Sequence, residues 1–244
     1  MPGNLQLPAA THTAELTRRM SDLGAEADAR QLLVTGSAGL FGCAAAGFGQ
    51  VTVSSSRREP VVPERLDFTF GGDGTVAAGL TELTRAAPEA VALAALRQDE
   101  PVHSDDLAQD GRWPGYAEAM ARWAGMRSVL AVPVRLTGTA LGVLVLYAGE
   151  PGLFDAETAA LAGTLADQAA LALGLLAGRT KNRNLTIALE TSREIGQAMG
   201  ILMATRKVTG DRAFDLLKQA SQQAHVKLRE LAREVILTGQ LPAG

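Results

Sequence analysis

Apolar residues recur along this chain with two different periods. In residues 14–40, Leu16, Met20, Leu23, Ala27, Leu32 and Leu33 fall near helical spacing, which predicts one or two helices. Residues 49–55 alternate apolar and polar side chains as a half-buried strand does, and Arg57-Arg58-Glu59-Pro60 supplies a turn. Gly71-Gly72-Asp73-Gly74 reads as a loop, followed by a helix over 76–85 and another opened by Pro88 and running through Leu96. Val102-His103 is a short extended piece, 105–114 a loop and 116–123 a helix. The strongest strand signals are 128–134 and 140–147, joined by Leu136-Thr137-Gly138-Thr139 as a hairpin. Pro133 is read as closing the first of these strands, and Gly142 as letting a neighbour approach closely.

From Asp155, a plausible N-cap, one long helix is expected to about residue 205. Leu161, Leu165, Ala172 and Leu175 lie on an alternating four-three spacing, which suits a coiled-coil seam. The six polar residues 179–184 interrupt the pattern without Pro or Gly, so the helix continues through them. Two further helices follow, with Thr209 and Gly239 as caps. The expected inward faces are Leu189, Ser192, Ile195, Gly196, Met199, Leu202 and Met203, then Phe214, Leu217, Ala220 and Ala224, then Leu228, Leu231, Ala232 and Val235. The fold class is α+β, with helices covering one face of an antiparallel sheet. The domain reading is a loose arm over 1–12, a sensor domain over 13–178, a polar helical linker over 179–184 and a helical module over 185–244.

Composition changes this picture little. With 47% apolar and 4% aromatic residues, an ordered core must be built mainly from Ala, Leu and Val. A single cysteine, Cys43, excludes an internal disulfide and reads as a small buried hydrophobe. No uninterrupted apolar run spans a bilayer, the best one being broken by Asp167 and Gln168, and the N-terminus lacks a secretory pattern. The expectation is a cytoplasmic protein without a membrane segment. Charge is more informative. Residues 181–244 hold ten Lys/Arg against six Asp/Glu, whereas the remainder holds thirteen against twenty. A basic tail on an acidic body suits a polyanion-binding module attached to a regulatory domain.

Candidate chemistry then divides between the two parts. His103, Trp113 and Tyr116 are the candidate lining of a sensor pocket, though Trp113 and Tyr116 read first as sealing the edge of the core. One histidine followed by Asp105 and Asp106 supports neither haem nor a metal, so no cofactor is expected. In the tail, Lys218, Ser221, Gln222, Lys227, Arg229, His225, Arg193 and Gln197 read singly as solvated surface residues. No paired acid and base, phosphate loop or metal cluster points to an enzyme.

Arg112-Trp113-Pro114, the run from Gly125 through Val134, Leu141-Gly142-Val143-Leu144-Val145-Leu146-Tyr147 and Phe154-Asp155 resemble a GAF domain, of the kind found in actinobacterial regulators, over about residues 20–177. Many such domains carry a cysteine where this chain has Ala92, so thiol sensing there is excluded. The resemblance implies a sensor domain able to take an unidentified small molecule, or a dimerisation platform. Arg193, Ile195, Gln197, Ala198, Gly200-Ile201-Leu202-Met203, Ala213-Phe214, Leu217, Ser221, Lys227-Leu228, Ala232 and Val235 resemble the ANTAR domain, a three-helix RNA-binding module. That resemblance implies antitermination through paired hairpin loops of nascent RNA, with RNA polymerase affected indirectly. It alone makes Lys218, Ser221, Gln222, Lys227 and Arg229 candidates for phosphates and base edges, His225 a candidate to stack on an unpaired base, and Arg193 and Gln197, one helical turn apart, further candidates. With the seam, it implies a parallel homodimer. A DNA-binding regulator and a scaffold for a partner other than nucleic acid remain alternatives.

Overall fold

In a computed structural model of the chain, the residues described are 6–51, 66–86 and 90–241. The chain divides into two compact units, Met1–Ala177 and Gly178–Gly244. In the first unit the elements are α1 (Gln6–Ser21), α2 (Glu26–Phe41), β1 (Ala45–Gln50), β2 (Asp67–Gly72), α3 (Gly74–Ala86), α4 (Ala90–Gln98), β3 (Val102–Ser104), α5 (Pro114–Trp123), β4 (Ser128–Leu136) and β5 (Thr139–Ala148). Helix α6 (Ala156–Arg206) begins in this unit, and α7 (Gly210–Ala224) and α8 (Leu228–Thr238) complete the second.

The five strands form one sheet in the order β2-β1-β5-β4-β3, every pairing antiparallel. Successive side chains point to opposite faces, and here both faces are buried. Ala46, Phe48, Leu130, Val132, Val134, Leu144 and Leu146 pack with Leu16 and Met20 of α1, Leu33 and Val34 of α2, and Leu165, Ala169 and Leu173 of α6. Ala45, Val129, Ala131, Val143, Val145 and Tyr147 pack with Leu80 and Leu83 of α3, Val91 and Ala95 of α4, and Tyr116 and Met120 of α5. Helices therefore cover both faces, not one. The near-continuous apolar runs of β4 and β5 are the sequence mark of this double covering.

The hairpin loop is Thr137-Gly138, with φ of 47° and 81°. Two consecutive left-handed residues match the twist of the flanking strands, which is why Gly is useful there. Pro133 does not end its strand. It pairs with Val143, and the ladder continues to Leu136 after a register shift at Val134/Arg135, so the missing N–H is accommodated beside a bulge. A Cβ on Gly142 would lie 2.5 Å from the Gly49 carbonyl oxygen and 2.5 Å from Phe48 Cζ, the close approach expected of this position. Outermost in the sheet, the Phe70 carbonyl of β2 accepts from Gln31 Nε2 at 3.2 Å, and the His103 carbonyl of β3 accepts from an Arg112 guanidinium nitrogen at 2.6 Å.

Several expectations shift. Helix α1 already begins at Gln6 within the stretch read as a loose arm, and residues 1–5 lie outside the described residues. The strand expected over 49–55 is centred earlier, at Ala45–Gln50, and its expected continuation and turn lie outside the described residues. Gly71 and Gly72 belong to β2 and not to a loop. The long helix is present. Asp155 caps it by accepting from Thr158 N at 2.8 Å, and residues 179–184 are helical within it. By length and composition α6 could cross a membrane, but Ala162, Leu165, Ala166, Ala169, Ala170, Ala172, Leu173 and Leu176 are buried in the first unit's core. Leu165 and Ala172, two members of the expected seam, therefore face this core. The exposed apolar line lies elsewhere on the helix, at Leu171, Leu175, Leu185 and Leu189, which are 63%, 48%, 52% and 72% exposed.

Candidate nucleic-acid interface

The second unit holds its three helices around Ala198 and Leu202 of α6, Ala213 and Leu217 of α7, and Leu231, Ala232 and Val235 of α8, all buried. Such a small core, aliphatic throughout, brings the helices close together. Glu194 accepts from Arg233 Nε at 2.8 Å and ties α6 to α8. Thr209 caps α7 by accepting from the Arg212 amide at 3.4 Å, and Gly239 with φ 75° ends α8. The expected inward face of α8 is the observed one.

The other two inward faces need correction. On α6, Ala198 and Leu202 are buried, whereas Leu189, Ser192, Gly196 and Met203 are exposed. On α7, Ala213 takes the core position, while Phe214 is 39% exposed and Ala224 is also exposed. Ala213 and Phe214 are adjacent, so the helical stripe alone leaves the choice between them open. In the structure Ala213 lies in the core with Leu217, and Phe214 stands on the flank of α7.

The turn joining α7 to α8 gathers most of the candidate RNA-contacting residues. His225 ends α7 in the left-handed region with φ 55°, and its amide donates to the Gln222 and Ser221 carbonyls. Ser221 Oγ donates to the Val226 carbonyl at 2.7 Å, closing the turn from the side-chain side. Lys227 is the N-cap residue of α8 and Arg229 lies in its first turn. Lys218, Gln222, His225 and Lys227 are exposed, and Ser221 and Arg229 are half-buried. These six residues thus occupy one corner, presenting three full cations, an imidazole, an amide and a hydroxyl. Arg193 and Gln197 are exposed but stand apart. At 3.6 residues per turn they fall about 120° and about 160° round α6 from Met199, the edge that meets α7.

The candidate sensor residues come together at the β3–α5 end of the first unit. Arg112 pairs with Asp110 at 2.6 Å and lies over the Trp113 ring at 4.3 Å. The Arg112 guanidinium holds the Asp110 carboxyl well below the usual carboxylate range, with Ser104 adding to the effect. Arg127 pairs with Asp106 at 2.5 Å and lowers that carboxyl too. His103 Nε2 stands 3.9 Å from Asp105, its side chain 54% exposed. Tyr116 is buried among Leu80, Met120 and Tyr147 in the core, so its ring packs, as the sealing alternative expected. The arrangement is a loop fastened by two ion pairs. A separate cleft of about 310 Å³, which the sequence did not signal, lies between α1 and α2 and is lined by His12, Glu15, Arg19, Gly36 and Gly39. Cys43 is buried, its Sγ 3.3 Å from the Ala45 carbonyl, and burial pushes its thiol up to about 11. Among the described residues, no three His, Cys, Asp or Glu side chains are grouped to hold a metal ion.

Comparison with known proteins matches each unit separately. The GAF domain family matches residues 29–174, and the ANTAR domain family matches residues 183–236. No curated protein matches the chain. Among solved structures, the GAF domain of a Coxiella burnetii phosphoenolpyruvate-protein phosphotransferase is 17% identical, covering 74% of this chain and 99% of that one with a TM-score of 0.55. The GAF domain of the Acinetobacter phosphoenolpyruvate-protein phosphotransferase is 15% identical, covering 75% and 99% with a TM-score of 0.52. A free methionine-R-sulfoxide reductase from Neisseria meningitidis is 18% identical, covering 70% and 93% with a TM-score of 0.53. At these identities the likeness shows the fold alone. Both matched domains are regulatory rather than catalytic, although the Neisseria protein is an enzyme.

Proposed function

We propose, from the premise that the chain belongs to the GAF domain family and carries an ANTAR domain C-terminal to it, that it is a transcription antitermination regulator recognising paired hairpin loops in nascent RNA. The observation that carries this reading is the ANTAR match falling on a bundle whose α7–α8 turn exposes Lys218, Gln222, His225 and Lys227 together. Cations near a corner neutralise phosphates, while the amide and imidazole address bases that a loop leaves unpaired. Binding of nascent RNA would hold it in a form incompatible with a terminator stem and so act on RNA polymerase indirectly. The GAF domain would supply the input, with an unidentified small molecule as one source of signal, and the protein would act in the cytoplasm.

A parallel homodimer completes the proposal. Leu171, Leu175, Gly178, Asn182, Leu185 and Leu189 follow one another at intervals of four and three, and all six are exposed. This is coiled-coil spacing, and Asn182 takes an a-type position, where one Asn favours two in-register strands. Two RNA-binding units held together would engage paired hairpins at raised effective concentration.

The test is competition of the full chain for tandem-hairpin RNA against duplex DNA of matched length across a salt series. RNA should win, and three phosphate contacts in each of two units should give a slope of log K against log salt of about −4. Preference for the duplex, or salt-independent binding, would overturn the reading. Sedimentation of Leu175→Glu/Leu189→Glu against the unaltered chain tests the dimer, since only the unaltered chain should associate.

A further inference from the structure

Phe214 is the one aromatic residue between 178 and 244, and it does not join the core beside it. Ala213 and Leu217 fill that core, leaving the ring 39% exposed on the flank of α7. What surrounds it is specific. Gly210, one turn earlier on the same face, has no side chain to cover the ring. Met199 and Met203 of α6 lie against Gly210, and Met203 is itself 41% exposed. One turn later stands the exposed Lys218, and seven residues on, Ser221 begins the polar corner. Arg206, the last residue of α6, and Lys207, the first of the α6–α7 connection, are both exposed. An exposed π face with a lysine one turn away is the chemistry that takes a single unpaired base, with the following phosphate near the lysine.

We propose that Phe214 is a stacking platform for one unpaired loop base of the RNA. This rests on the RNA-binding reading above and deepens it, because it adds a base contact outside the cluster expected from sequence. Asp211 and Asp215 are exposed about 60° and about 100° round α7 from Phe214, beyond Lys218 at about 40° on the same side, so they repel phosphate there. The strand therefore runs from the Phe214 ring between Lys218 and Ser221, the latter about 20° to the other side, toward His225.

The experiment uses the full chain and tandem-hairpin RNA taken from a pool with randomised loops by selection on the protein. 2-Aminopurine is then placed at each loop position in turn. With the unaltered protein, one position should change fluorescence on binding as the base leaves its neighbours for the ring. Phe214→Leu, which keeps the apolar bulk, should abolish that signal and weaken binding roughly 5- to 100-fold, the worth of one stacked base. Phe214→Trp should restore both. Circular dichroism and the melting of each variant report folding independently. If the unaltered chain binds the RNA and Phe214→Leu binds equally with the signal unchanged, stacking is wrong while RNA binding stands. If the unaltered chain binds no hairpin RNA, both fall. If Phe214→Leu changes only the association state of the protein, the patch is a protein contact and the proposal is overturned.

Discussion

Replacing Gly142 by Ala puts the packing of the sensor-domain sheet to a quantitative test. The new methyl group would sit 2.5 Å from the Gly49 carbonyl oxygen and 2.5 Å from Phe48 Cζ, well inside contact distance on both sides. The carbonyl belongs to β1, where Gln50 pairs with Gly142 itself, and Val51 N donates to the Leu141 carbonyl at 3.0 Å. Moving it disturbs the ladder. The ring is 1% exposed, so swinging it aside displaces core neighbours. Overpacking of this sort costs about 1–3 kcal/mol. For a domain of this size that lowers Tm by about 2–12 °C, at about 2–4 °C per kcal/mol. Both tryptophans of the chain, Trp113 and Trp123, lie in the first unit, so their fluorescence during denaturant unfolding reports that unit alone. Two controls separate sterics from loss of glycine. Gly149→Ala, whose added Cβ meets nothing nearer than 3.6 Å, should change stability by less than about 0.5 kcal/mol. Gly174→Ala meets only the tip of Leu136, a side chain able to turn away, and should fall between. If Gly142→Ala is no more destabilising than Gly149→Ala, the account of β1–β5 packing is wrong.

Other outcomes follow from single groups. His225 holds a left-handed conformation that costs a non-glycine residue about 1–2 kcal/mol, against about 0.5–1 kcal/mol of extra chain entropy lost by glycine. We expect His225→Gly to leave the bundle as stable or up to about 1 kcal/mol more stable while weakening RNA binding; a bundle destabilised by more than that contradicts the strain argument. The Cys43 thiol is raised from 9.0 to about 11, so its stabilising contribution is complete below pH 9 and is lost as pH rises to 11. That amounts to up to about 3 kcal/mol. Cys43→Ala should therefore flatten the alkaline limb of stability against pH, and an unchanged limb would count against it. Asp155→Ala removes the N-cap of α6 and should cost about 1 kcal/mol by denaturant midpoint. Leu217→Ala should cost about 2–5 kcal/mol and unfold the small bundle, whereas Phe214→Leu should leave its helical signal intact.

The sequence announced some features more clearly than others, for physical reasons. The β4–β5 hairpin was plain because two uninterrupted apolar runs flank a Thr-Gly turn, and α6 because no helix breaker separates its parts. Strand β2 was hidden: Asp67-Phe68-Thr69-Phe70 is short, and the two glycines completing it resemble a loop when β1, which they pair with, is not in view. The face of α7 was misjudged because Ala213 and Phe214 are adjacent and both fit the stripe, so spacing along α7 does not choose between them. Arg193 and Gln197 share a helix with buried Ala198, yet their separation from the α7–α8 corner follows from where α7 docks, which no spacing along α6 encodes. The buried environment of Cys43, by contrast, followed from its small apolar neighbours.

The two outermost strands of the sheet carry a wider consequence. An uncovered strand offers its backbone groups to any passing extended chain, and this is how sheets grow into aggregates. Here β3 is only three residues long, and the carbonyl of its middle residue already holds the Arg112 guanidinium, anchored in turn by Asp110 and Trp113. At the opposite side, Gln31 occupies the Phe70 carbonyl of β2. One carbonyl at each margin of the sheet is thus taken from within the molecule. Margins blunted in this way lower the tendency of sheets to fuse when copies are held at high local concentration.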